Sequence, residues 1–258
     1  MSRGYIFDLD GTIYLDDAMI DGANEAIATL KQRGDRVIFL TNKSISTRHE
    51  YVEKLNRMGI DAVLDEVINS NFITAKYLLT KLGENERVYV IGEQPLLDEL
   101  IEANVPMTEN ALEAAYVVIG WDRQFTYAKI NDAFQAWKNG AKVIATNPDK
   151  TCPVVGGELP DCAAMIGALE AVTGEPIELV VGKPSAFMAN YVVTDVLQMT
   201  PNNCYMVGDR LETDIKMAND ANINSVLVMT GITTEEMLQQ TSNKPDFVLQ
   251  SVKDIGTL

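Results

Sequence analysis

Apolar residues recur along this chain in two alternating rhythms. Residues 3–9 form a short run rich in β-favouring side chains and too brief for a stable helix, which predicts a buried strand. Ala23, Ala26, Ile27 and Leu30 then fall at i, i+3, i+4 and i+7, with Gly34 placed to end the helix they predict. Residues 37–40 repeat the strand signal, and Thr47 with Glu50 makes a capping-box pattern before a helix through Tyr51, Leu55 and Met58 that stops near Gly59. The same grammar restarts at Arg87. It predicts a strand over 88–91, a helix around Leu96, Leu97, Leu100 and Ile101, and a strand over 117–120. A helix carrying Ile130, Ala133, Phe134 and Trp137 ends near Gly140, a strand covers 143–145, and a helix through Met165, Ile166 and Leu169 ends near Gly174. After Pro176 come strands at 179–181, 205–207 and 226–228, helices over 187–197 and from Asp214, and a tail strand near Phe247 and Val248. Strands alternating with helices predict parallel sheets joined by right-handed crossovers, an α/β fold.

With 258 residues the chain has room for two domains or one large one, and 47% hydrophobic against 22% charged residues predicts a packed core. The longest apolar stretches, such as 114–121, fall short of the roughly 20 residues that cross a bilayer, so no membrane partner is expected. Met1-Ser2-Arg3-Gly4 leads straight into Tyr5-Ile6-Phe7 without a basic region or a cleavage site, which predicts a cytoplasmic location. Cys152, Cys162 and Cys204 form neither an even set nor a C-x-x-C pair and read as reduced thiols, with no zinc site. Lys and Arg number 21 against 37 Asp and Glu, a net charge of −16, which repels nucleic acid. An anionic substrate bound here needs local cations, either a divalent metal or a placed lysine.

Ligands of open parallel sheets bind beyond the carboxyl ends of the strands. Four predicted strands end in residues able to do chemistry: Asp8-Leu9-Asp10-Gly11-Thr12, Thr41-Asn42, Gly182-Lys183-Pro184-Ser185, and Gly208-Asp209 with Asp214 five residues on. Asp8 and Asp10, at i and i+2 of an extended segment, point the same way, and paired carboxylates repel unless a cation or proton compensates. The pair alone fits a strand-ending turn as well as catalysis, and Asp214 alone fits a helix N-cap. Four carboxylates brought together by strand-end loops call for Mg²⁺, which takes hard oxygen ligands. Lys183 at the end of an apolar strand and the Thr41 hydroxyl suit phosphate oxygens, beside the plainer readings of a solvated lysine and a capping threonine.

In this order, Asp8-Leu9-Asp10-Gly11-Thr12, Leu40-Thr41-Asn42, Gly182-Lys183-Pro184 and Gly208-Asp209-Arg210-Leu211-Glu212-Thr213-Asp214 resemble the four motifs of haloacid dehalogenase-superfamily phosphatases. The block between the second and third motifs, with Val118-Ile119-Gly120-Trp121-Asp122 and Ile144-Ala145-Thr146-Asn147-Pro148-Asp149, resembles the cap of the NagD-like, p-nitrophenyl phosphatase subfamily. The resemblance spans essentially the whole chain. It implies a Rossmann-like catalytic core at 1–79 and 178–258 with an inserted α/β cap at 80–177. It implies Asp8 as the nucleophile that becomes an aspartyl-phosphate, and Asp10 as the acid for the departing alcohol and then the base for water. Mg²⁺ would be held by Asp8, the main-chain carbonyl of Asp10 and Asp209, with Asp214 in support, while Thr41, Asn42 and Lys183 hold the phosphoryl oxygens. Asn147, Asp149 and the Gly- and Pro-rich loop from Thr151 to Asp161 are the cap segments expected to meet substrate. Lys43 replaces the second asparagine common in that group and is read as facing solvent. Trp121, Phe134 and Trp137 are read as packing residues.

The expected partner is a small phosphorylated metabolite such as a sugar phosphate, a nucleoside monophosphate or a phosphoglycolate-like acid, met by a monomer or a homodimer. His49, the single histidine, excludes mechanisms that need several imidazoles. Ile177 stands where a P-loop needs glycine, and neither a G-x-G-x-x-G nor a G-x-S-x-G pattern occurs. Two other readings stand beside the phosphatase: an aspartate-phosphorylated signalling module, normally less than half this length, and a binding protein that keeps a phosphatase shell without turnover.

Overall fold

Where the sequence alternates strand and helix, the chain builds two separate parallel sheets. The computed structural model describes residues 2–154 and 156–258, so expectations touching Met1 and Val155 fall outside the described residues. In chain order the strands are β1 (Gly4–Phe7), β2 (Tyr14–Leu15), β3 (Ala18–Met19), β4 (Arg36–Thr41), β5 (Val67–Asn69), β6 (Arg87–Ile91), β7 (Ala114–Ile119), β8 (Lys142–Ala145), β9 (Thr151–Val154), β10 (Gly157–Pro160), β11 (Leu179–Val180), β12 (Cys204–Gly208), β13 (Asn224–Val228) and β14 (Phe247–Leu249). Contacts divide the chain into two units. The first comprises Met1–Thr41, Arg48–Ile68 and Lys183–Leu258, and the second Asn42–Thr47 and Asn69–Gly182. The sequence-based limits at 79/80 and 177/178 lie inside the second unit, because the helix Ser70–Lys81 packs on the helix Gln94–Glu102 and β11 pairs with β8.

The first unit holds a six-stranded sheet in the order β14-β13-β12-β1-β4-β5. Every residue of β1 is buried, as expected of a central strand covered on both faces. The helix Ala23–Gln32 buries Ala23, Ala26, Ile27 and Leu30, the predicted stripe, in a core shared with Tyr5, Phe7, Phe39 and Leu55. Truncating a fully buried leucine such as Leu30 to alanine costs about 2–5 kcal/mol. The parallel registers pair Phe7 with Phe39 and with Val207, which puts the carboxyl ends of β1, β4 and β12 side by side.

The second unit holds a four-stranded sheet in the order β11-β8-β7-β6, parallel throughout. Trp121 is buried in its core and the rings of Phe134 and Trp137 stack at 5.9 Å, so these aromatics pack as expected. Among the described residues no helix is long and apolar enough to cross a membrane.

Three features differ from the sequence reading. The stretch read as a Gly- and Pro-rich loop contains the antiparallel hairpin β9–β10. The helix read from Asp214 opens earlier, as a wide turn over Leu211–Ile215 in which Ile215 N–H donates to the Arg210 carbonyl five residues back. A small hairpin, β2–β3, follows the first motif. Strands of two to four residues carry too few alternating positions to register as a period.

Candidate active site

Four of the expected residues meet in the first unit. The strand ladder continues to the Asp8 N–H, which donates to the Val207 carbonyl at 2.8 Å, and the chain then turns: the Leu9 carbonyl accepts from Thr12, Ile13 and Tyr14. Gly11, at φ +85°, makes that turn possible. The regular strand therefore gives way to a turn just past Asp8. Asp8 is buried and Asp10 half-buried.

Asp8, Asp209 and Asp214 each offer a carboxylate oxygen within 4.8 Å of the others, so three of the four expected aspartates cluster through their side chains. Lys183 bridges two of them, its ammonium donating to Asp8 Oδ1 at 2.5 Å and lying 2.7 Å from Asp214 Oδ1. The backbone N–H of Arg210 donates to the other Asp214 oxygen at 3.1 Å. A Cβ on Gly208 would collide with the Asp214 carboxylate, so glycine there makes room for the cluster. Thr41, at the end of β4, is 3% exposed.

Burial pushes the Asp8 carboxyl well above the usual range; the adjoining Lys183 opposes the shift, and Asp214 and Asp209 add to it. Burial, then Asp214, raises Asp209 to about 6. For Lys183 burial alone would lower the pKa, but the fields of Asp214 and Asp8 outweigh it and hold the amine protonated. Of the three buried carboxylates, Asp8 and Asp214 touch the Lys183 ammonium, and Asp209 Oδ1 is buried without a hydrogen-bond partner. An all-oxygen, anionic donor set with an unsatisfied buried oxygen fits a hard divalent cation.

The other expected residues lie in the second unit. The Asn42 and Asn147 side-chain amides both donate to Asp149 Oδ2, at 3.0 and 2.9 Å, and Asn147 also donates to Asp161 Oδ1 at 3.1 Å. Asn147 is 1% exposed. The segment Asn42–Thr47 is stitched into this unit by side chains: Ser70 donates to the Asn42 carbonyl, Asn71 to the Ser44 carbonyl, and Trp121 N–H to the Ser44 hydroxyl. Lys43 is half-buried, and His49 is exposed on its helix.

Sequence reasoning passes over a fifth strand ending, Thr230-Gly231-Ile232-Thr233 after β13. Ile232 N–H donates to Asp209 Oδ2 at 2.7 Å, and the Thr233 hydroxyl donates to the Asp209 carbonyl at 2.5 Å. Its signal was the same as that of the other four: polar side chains just past the end of an apolar strand.

Comparison with known proteins gives the family. The family model described as haloacid dehalogenase-like hydrolase matches residues 5–106, and a second, HAD-hydrolase-like model matches 180–255. The sugar-phosphatase AraL of Bacillus subtilis is 38% identical over 255 residues, covering 99% of this chain and 92% of that protein. Phosphoglycolate phosphatase 1A of Arabidopsis thaliana is 34% identical, covering 97% of this chain and 75% of that one. The 4-nitrophenylphosphatase of Thermotoga maritima superposes with a TM-score of 0.92 at 35% identity, over 100% of this chain and 97% of that one. NagD of E. coli K-12 gives 0.89 at 27%, over 100% of both chains. The chain belongs to the haloacid dehalogenase-like hydrolases, with their Rossmann-like α/β core. Within that family its place is among the NagD-like phosphatases, and its enzyme class is phosphoric monoester hydrolase.

Proposed function

We propose that this protein hydrolyses small phosphomonoesters, sugar phosphates foremost, through a covalent phosphoryl-enzyme on Asp8. The observation that carries the reading is the Lys183 ammonium clamped between Asp8 and Asp214 with Asp209 beside them. Relatives named sugar phosphatases and phosphoglycolate phosphatases favour small phosphorylated metabolites as substrates.

In the first half-reaction an Asp8 carboxylate oxygen attacks phosphorus while the ester P–O bond breaks, and Asp10 gives its proton to the departing alkoxide. In the second, Asp10 takes a proton from water, whose oxygen attacks phosphorus and displaces the Asp8 carboxylate, releasing inorganic phosphate. Lys183 and Thr41, with Asn42 next in the chain, hold the phosphoryl oxygens as charge builds on them. Asn147 and Asp149 are assigned to selecting the leaving group. Asp8, Asp209 and the main-chain carbonyl of Asp10, supported by Asp214, are the residues that would hold Mg²⁺. Bound there, the cation supplies positive charge to a transferring phosphoryl group. The setting is proposed to be the cytoplasm.

The test is p-nitrophenyl phosphate hydrolysis with Mg²⁺ and with EDTA, followed by a panel of phosphorylated metabolites and mass spectrometry of acid-quenched enzyme. Mg²⁺-dependent turnover and a phosphoryl adduct on Asp8 are expected. Turnover that survives EDTA undiminished, or an adduct on another residue, overturns the assignment.

A further inference from the structure

The loop after β13 holds Asp209 at both ends. Its Ile232 N–H takes one carboxylate oxygen, and its Thr233 hydroxyl takes the main-chain carbonyl. The Thr230 hydroxyl donates to the Gly11 carbonyl at 2.7 Å, which ties the same loop to the turn carrying Asp8 and Asp10. Gly231 lies against the carboxylate itself: a Cβ there would collide with Oδ2, Cγ and Cβ of Asp209. Gly231 is not in the left-handed region, so what glycine supplies at this position is space. A Cβ on Gly11 would likewise come within 2.5 Å of Asp209 Oδ2. Asp209 is 1% exposed and Thr233 4%, so water does not compete for these bonds.

An aspartate has two side-chain torsions. Anchoring the main chain, engaging Oδ2 and packing two glycines against the carboxylate restricts both, and the one oxygen left without a partner is Oδ1. A loop that only stabilised the fold would have no reason to leave that oxygen unsatisfied in a buried acidic cluster.

We propose that Thr233 and Gly231, acting with the Ile232 N–H, are positioning residues that aim Asp209 Oδ1 at the divalent cation. The proposal rests on the cation reading of the Asp8–Asp209–Asp214 cluster. Outer contacts of this kind commonly govern a metal site's affinity about 10- to 100-fold.

The experiment is isothermal titration of Mg²⁺ into EDTA-stripped, dialysed protein for the parent, Thr233→Val, Thr233→Ser, Gly231→Ala and Asp209→Asn, with thermal midpoints recorded without metal. Thr233→Val and Gly231→Ala are expected to raise the Mg²⁺ Kd about 10- to 100-fold, while Thr233→Ser stays within about threefold of the parent. Metal-free Thr233→Val should melt within about 5 °C of the parent, the cost of one unsatisfied carbonyl. Thr233→Val and Gly231→Ala binding as the parent does, while Asp209→Asn fails to bind, overturns the positioning role and leaves the cation reading intact. A parent that binds no Mg²⁺, or an Asp209→Asn that binds normally, overturns both. Should Thr233→Val not fold, Gly231→Ala decides alone: weakened binding supports the role and unchanged binding overturns it.

Discussion

The two sheets carry acidic residues at the same kind of place and treat them in opposite ways. Beyond the strands of the second unit, Glu93 is held by Arg123 through two side-chain bonds at 2.6 and 2.7 Å, and Asp122 takes Lys129 at 2.5 Å and the Gln124 N–H at 2.9 Å. Asp149 takes two asparagine amides, and Asp161 takes Asn147 and the Cys162 N–H. The hydrogen bond from Arg123 holds the Glu93 carboxyl below its usual pKa. Beyond β1 and β12 the sign is reversed, and burial pushes Asp8 and Asp209 upward. The second unit satisfies its strand-end carboxylates; the first gathers three, of which Asp8 and Asp214 touch Lys183. Strand-end acidity is common to both, so it does not mark the chemistry. Incomplete compensation does.

Replacing the proposed nucleophile gives the largest expected effect. Asp8→Asn keeps the side chain's size, removes the attacking carboxylate oxygen and should lower kcat for p-nitrophenyl phosphate by at least about 10⁴-fold. Steady-state assays of the purified variant check this, and a variant with more than a tenth of parental kcat ends the assignment. Next comes Lys183→Met, which leaves Asp8 and Asp214 buried without their shared cation. Removing one partner of a buried pair costs about 3–5 kcal/mol of folding stability. It should also lower turnover about 10³-fold, since a charged donor to the transferring group is lost. Urea unfolding in EDTA reads the first effect and kinetics in Mg²⁺ the second. Parental stability would mean that the cluster does not depend on that lysine.

Much of the cluster was readable in the chain because each member sits one to six residues past an apolar strand. Parallel register then carries the ends of β1, β4 and β12 to one edge whatever the helices between them do, whereas Lys183 follows β11, a strand of the other sheet. The sharing of roles was not readable. The carboxylates of Asp8, Asp209 and Asp214 gather as a group, and just past Asp8 the Leu9 carbonyl collects three N–H groups in a turn, a local event that a two-residue spacing does not reveal. Thr41 and Asn42 are neighbours in sequence, yet the boundary between the units falls between them, and the Asn42 amide goes to Asp149. The loop at 230–233 also puts polar side chains past an apolar strand but holds no charged residue, and its hold on Asp209 uses a main-chain N–H, a hydroxyl and the lack of a Cβ, none of which a charge pattern exposes.

A change at a satisfied carboxylate with no part in the proposed chemistry should be felt in stability alone. Asp122 is 1% exposed, while the Lys129 side chain is 33% exposed and can turn to water when its partner is neutralised. Asp122→Asn should therefore cost about 1.5–3 kcal/mol, the worth of hydrogen bonds to a charged group, and leave kcat for p-nitrophenyl phosphate within about twofold. Denaturant midpoints and steady-state kinetics on one preparation check both halves. A tenfold loss of kcat at parental stability would place Asp122 in the chemistry and erase the contrast between the sheets.

The smallest effect expected is none at all, and it concerns the thiols. Cys152, Cys162 and Cys204 are buried and form no disulfide, and burial raises Cys162 to about 12 and Cys204 to about 11. At pH 8 the native thiolate fractions are then about 10⁻⁴ and 10⁻³, so both thiols are protonated throughout the working range. Because these folded-state values lie above that of an exposed thiol, their share of stability is fully present below about pH 8.5 and is lost as pH climbs through 11 and 12. Cys162 belongs to the second unit and Cys204 to the first, which makes the pair a control spanning both regions. Labelling the native protein with a disulfide reagent at pH 8 should leave both unmodified and activity unchanged over the period in which urea-unfolded protein is fully modified. Rapid native labelling of Cys204 with loss of turnover would mean that the first unit opens around its catalytic sheet, and that its crowded carboxylates are less secluded than their raised pKa values require.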